Sequence, residues 1–77
     1  MQTGLENMRD KIMQDTEHWK QIAWVEDFVG DGESIWYCEH QDLTCYMDYT
    51  KDMDGELYLE KITFLDGKQF VEEKEEK

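Results

Sequence analysis

Residues 21–40, QIAWVEDFVGDGESIWYCEH, decide the fold. Two runs rich in β-branched and aromatic residues flank a Gly-Asp-Gly break at 30–32. If Val29 pairs with Glu33 across that break, Trp24 lies opposite Cys38, and Ile22, Trp24, Phe28, Trp36 and Cys38 share one face. That period-two match predicts a β-hairpin. The competing reading is a helix running on through Phe28, because Trp19, Ile22 and Ala23 also suit the apolar stripe upstream.

Upstream, GLENMRDKIMQDTEHW (4–19) places Leu5, Met8, Ile12 and Trp19 near one helical face with Met13 beside it. This spacing predicts an amphipathic helix over about 4–18, with Thr3 as N-cap and Glu6 completing a capping box. Downstream the chain reads as a meander. LTCYMDY (43–49) alternates Leu43, Cys45, Met47 and Tyr49 on one side. ELYLEKITF (56–64) starts with Leu57 and Leu59 and then changes face to Ile62 and Phe64, which predicts a bulge near Glu60–Lys61. A turn at LDGK, with Gly67 left-handed, would return QFVEEK as a last strand with Phe70 opposite Ile62. The expected architecture is a single α+β domain over 1–77. One N-terminal helix packs on a four- to five-stranded antiparallel meander spanning about 21–72, and the tail 73–77 is frayed. One helix covers one sheet face, so the other would expose Val25, Ile35, Tyr37, Tyr46 and Tyr58, a candidate partner or homodimer surface.

Seventy-seven residues sit near the lower limit for an unaided core, and ten aromatic residues supply the bulk such a core needs. No apolar run approaches the roughly 20 residues of a membrane span. The first residues, MQTGLENMRDK, lack the basic and apolar regions of a signal peptide. With two cysteines and no export signal, reduced thiols in a soluble, cytoplasmic protein are expected. The net charge is −12. Residues 26–60 hold eleven acids against Lys51 alone, so almost all the excess lies within the folded middle of the chain.

Specific chemistries fit poorly. With Gly55 at the sixth position of a calcium loop, Asp52 and Asp54 fall correctly, but Lys61 stands where the bidentate Glu belongs. An Asp-Gly turn explains MDGE without a metal. Cys38, His40 and Cys45 lack the paired spacing of a structural zinc site, so the cysteines read as small core residues. No nucleophile–base order or phosphate-binding glycine loop is recognisable, and no enzyme activity, metal or cofactor is expected. Direct nucleic-acid binding is disfavoured by sign, since phosphate contacts need Lys and Arg.

An acidic domain can instead bind what nucleic acid binds. A chain of this length has a compact diameter of roughly 30 Å, over which duplex DNA carries on the order of 18 charges. Carboxylates at alternate strand positions stand about 6.6 Å apart. Asp52, Asp54 and Glu56 would form such a row if extended, and Glu26 would face Trp36 across the first hairpin. In size, charge and α+β make-up the chain resembles the small acidic DNA-mimic inhibitors encoded by bacteriophages, including anti-restriction, anti-CRISPR, glycosylase-inhibitor and host-takeover proteins. That resemblance implies a stoichiometric inhibitor seated on the DNA-binding surface of a basic host protein. The acids expected to carry it are Asp48, Asp52, Asp54 and Glu56, then Glu26, Asp27, Asp31, Glu33, Glu39 and Asp42. The alternative is an interaction module, acidic for solubility, that binds through its aromatic sheet face.

Overall fold

The computed structural model describes residues 3–26 and 30–69. Its elements run α1 (Gly4–Gln14), β1 (Trp19–Glu26), β2 (Gly32–Cys38), β3 (Leu43–Lys51) and β4 (Leu57–Asp66). The four strands form one antiparallel sheet in sequence order.

The capping box forms. The Thr3 hydroxyl accepts from the Glu6 N–H at 3.1 Å, and the Thr3 N–H donates to Glu6 Oε1 at 2.9 Å. The helix stops four residues before the expected end. Asp15 leaves helical geometry, and its carboxylate accepts from the His18 ring at 2.9 Å while its carbonyl accepts from the Trp19 N–H at 2.9 Å. This turn makes Trp19 the first residue of β1, not the last of the helix. Trp19 is still buried with Ile12 in the core, the inward placement that the helical stripe also requires of it.

The first hairpin forms in a different register from the one expected. Trp19 pairs with Cys38 and Trp24 with Ser34, and Glu26 faces Gly32, not Trp36. The cause lies at Gly32. A Cβ there would stand 2.2 Å from Trp24 Cζ2, so the indole occupies the space a side chain would need, and glycine is the residue that admits it within the strand. The connection therefore spans residues 27–31, with Gly30 at φ +96°. The shift of four residues at Trp24 preserves side-chain parity, and Trp24, Trp36 and Cys38 share a face as expected. Ile22 is the extra residue of a bulge; Phe28 lies outside the described residues.

In β3, Leu43, Cys45, Met47 and Tyr49 face the helix, and Cys45 and Met47 are fully buried. In β4 the register breaks between Lys61 and Leu59, leaving Glu60 as the bulge. That bulge lets both Leu59 and Ile62 reach the core despite their odd spacing. The core therefore lies between α1 and this face: Ile12, Trp19, Cys38, Cys45 and Met47, with Trp36, Leu43, Tyr49, Leu59 and Ile62 packed around them. Val25, Ile35, Tyr37, Tyr46 and Tyr58 all lie on the opposite face.

Gly67 is left-handed at φ +79°, as expected, and of the expected last strand over 69–74 only Gln69 is described. Thr44 Oγ1 donates to the Gly67 carbonyl at 2.5 Å and accepts from the Gln69 N–H at 3.0 Å. The expected pairing of Phe70 with Ile62 lies outside the described residues. Thr44 is fully buried, so Thr44→Val keeps the volume and strands two backbone groups. It should cost about 1–3 kcal/mol, measured by urea unfolding followed through tryptophan fluorescence.

Candidate acidic interface

A meander sends its connections to alternate ends of the sheet. The 27–31 and 52–56 connections share one end, while 39–42 lies at the other. Glu26, Asp31, Glu33, Asp48, Asp52, Asp54 and Glu56 are thereby gathered on the two loops and the strand ends beside them. Glu39 and Asp42 are at the far end, away from the group in which they were expected. Asp27 lies outside the described residues. Glu60, which its place in the sequence does not single out, joins the cluster because its bulge lines the same open depression of about 420 Å³ as Asp31, Glu33, Asp48 and Lys61.

The end of the first connection is tied to β3, and the second connection is closed on itself. Asp31 Oδ1 accepts from the Lys51 N–H at 3.1 Å, tying the first connection to the end of β3. Lys51, the single base of residues 26–60, folds back over Gly30: a Cβ added there would lie 2.7 Å from its Nζ. Asp52 Oδ1 accepts from the N–H groups of Asp54 (2.9 Å) and Glu56 (3.0 Å). The Gly55 N–H donates to the Asp52 carbonyl at 3.0 Å, and Gly55 is at φ +83°. The expected extended row of Asp52, Asp54 and Glu56 is therefore a closed Asx turn, with one carboxylate spent on the backbone and two pointing away.

Glu33 and Asp48 oppose each other on the open face. Burial raises the Glu33 carboxyl to about 7, assisted by the hydrogen bond and the charge of Asp48 and opposed by Lys61. Lys61 Nζ stands 4.0 Å from Asp48 Oδ2. Glu33 therefore holds its proton to a higher pH than an ordinary glutamate. The sign of the linkage follows. Above its ordinary 4.5 the unfolded chain ionises Glu33 while the folded protein still holds the proton, so stability falls as pH rises through the window from 4.5 to about 7 and levels above it. Solvent screening at this partly exposed site limits the change to about 1 kcal/mol. Glu33→Gln should remove that slope from a plot of unfolding free energy against pH.

The far end differs in charge balance and in use. Its depression of about 530 Å³ brings together His18, Lys20, His40 and Lys68 with Glu17 and Glu39. The Asp42 carboxylate accepts from the Tyr37 hydroxyl at 2.7 Å, and its carbonyl accepts from the Gly67 N–H at 2.8 Å. Asp42, at φ +50°, thus serves the turn. Cys38 and Cys45 are buried free thiols, and burial pushes Cys45 up to about 12. Among the described residues no group of His, Cys, Asp or Glu has the arrangement of a metal site, and no helix is long and apolar enough to cross a membrane.

Four strands span about 14 Å across the sheet. Over that width the acidic end sets eight carboxylates against Lys51 and Lys61, a net of −6, or −5 where Glu33 holds its proton. Duplex DNA carries about eight charges over the same distance. No family model matches the chain, and neither does any curated protein or solved structure.

Proposed function

We propose that the protein is a non-enzymatic, DNA-mimicking inhibitor. Its acidic sheet end occupies the DNA-binding surface of a basic cytoplasmic protein, such as a nucleoid-associated protein or nuclease, and competes with DNA for it. If the chain is phage-encoded, that partner belongs to the host. The observation that carries this reading is the bond from the Lys51 N–H to Asp31, which ties the end of the first connection to the strand end from which the 52–56 connection leaves. Fixed anions avoid the ordering cost that a disordered acidic tail incurs on binding. Their local density, about two-thirds that of a duplex, favours fast, salt-sensitive capture of a cationic surface.

The test is capture from bacterial lysate on the immobilised protein, at low and high salt, with duplex DNA as competitor. Retention of a basic DNA-binding protein that either DNA or salt releases supports the proposal. Retained proteins that resist both would overturn it and point to binding through the aromatic face, which Tyr58→Ala should then weaken.

A further inference from the structure

We propose that Trp24 is a stacking platform for an arginine side chain of the basic partner, set where the helix-covered face of the sheet meets the acidic end. The proposal rests on the reading of that end as a mimic surface and adds what it grips.

Strand pairing sets the position. Trp24 lies opposite Ser34, on the same face as Trp36 and Cys38, but its six-membered ring leans one pair further towards the end of the sheet. There it fills the place of a Gly32 side chain, with Cζ2 and Cη2 only 2.2 and 2.4 Å from where a Cβ would stand. Gly32 pairs with Glu26 on one side and Tyr49 on the other. The Tyr49 ring stands 5.9 Å from the indole, tilted by 51°. The indole is thus braced by a glycine and a tyrosine, yet it is 43 % exposed, whereas Trp19 of the same strand is 8 % exposed. A large aromatic side chain already held in place has little rotamer freedom left to lose on binding, which is what an interface anchor requires.

The surrounding charge selects the occupant. Glu26 is exposed and follows two residues along the strand, about 6.6 Å away on the same face. The cations nearby are engaged: Arg9 pairs with Asp10 at 3.0 Å and interacts with Tyr49, and Lys51 folds over Gly30. Among the described residues the cation–π contact is made on the other face, by Lys68 over Tyr37. An indole face attracts a cation, and a guanidinium both stacks flat on an aromatic ring and extends an N–H fork to a carboxylate. Lysine, a strongly hydrated point charge, is the weaker match to that pair of groups. A nucleic-acid base would also stack on the ring, but the carboxylates of this end repel the phosphates that accompany it.

Titration of the full-length protein with oligo-arginine and oligo-lysine peptides of equal length tests this. The arginine peptide should bind more tightly. Trp24→Leu should weaken it about three- to fivefold and leave the lysine peptide unchanged, and Trp24→Phe should keep part of the difference. In the unmutated protein, nuclear Overhauser cross-peaks are expected between arginine δ-protons and the Trp24 ring, and their absence overturns the proposal. An arginine preference that survives Trp24→Leu would come from the carboxylates alone; it would overturn the stacking and leave the mimic reading standing. A loss shared equally by both peptides would also overturn it, since Trp24 would then be a support of the fold. If neither peptide binds, the mimic reading falls and the platform with it.

Discussion

Reversing Glu26, Asp54, Glu56 and Glu60 to lysine is expected to abolish capture of the basic partner while leaving the fold intact. These four are exposed, whereas Asp31 and Asp52 bond to backbone groups and hold the loops. Like charges brought together at an interface cost several kcal/mol, so four reversals should weaken binding by more than about a hundredfold. A matched pair of double variants separates local field from net charge. Asp54→Lys with Glu56→Lys and Glu17→Lys with Glu39→Lys add the same charge at opposite ends of the sheet. If the acidic end is the contact surface, the first pair should lose most of the affinity and the second little. Equal losses measured by titration calorimetry would mean that overall charge, not its placement, drives association, and the mimic reading would fail.

The placement of these acids is only partly legible in the sequence, for a topological reason. The excess over 26–60 is visible from composition, but a meander deals successive connections to alternate ends. Counting strands along the chain is enough to set Glu39 and Asp42 apart from the others. The Asx turn at Asp52 is less accessible, since the same residues suit an extended row and a closed loop until the side-chain bonds are seen. Strand β3 is readable because both its neighbours impose the same alternation, and the β4 bulge because Leu59 and Ile62 cannot share a face without one. The first hairpin misleads through its glycines. Gly30 and Gly32 look like the two halves of a tight turn, but Gly32 is a strand residue whose missing side chain makes room for Trp24. A glycine that accommodates an aromatic ring and one that makes a turn have the same letter.

Met47→Ala is expected to bring the folded protein close to the edge of stability. Met47 is fully buried in a central strand, between Ser34 of β2 and Ile62 of β4, within the cluster that α1 closes. Removing such a side chain costs about 2–5 kcal/mol, more where the surroundings cannot collapse. A chain of this length has roughly 4–12 kcal/mol in total, and among the described residues the cluster beneath α1 contains five buried apolar residues. Collapse is restricted here because Cys45 and Met47 belong to a strand hydrogen-bonded on both sides, whose backbone cannot move inward without breaking two ladders. The midpoint of urea unfolding should therefore fall by about 2–5 M at a slope near 1 kcal/mol/M, with the slope unchanged. Met47→Leu, which conserves volume, should cost less than about 1.5 kcal/mol. If both variants shift the midpoint equally, the loss is one of methionine's adaptability in an irregular site and not of packed volume. If neither does, the cluster beneath α1 is not the core that holds the sheet.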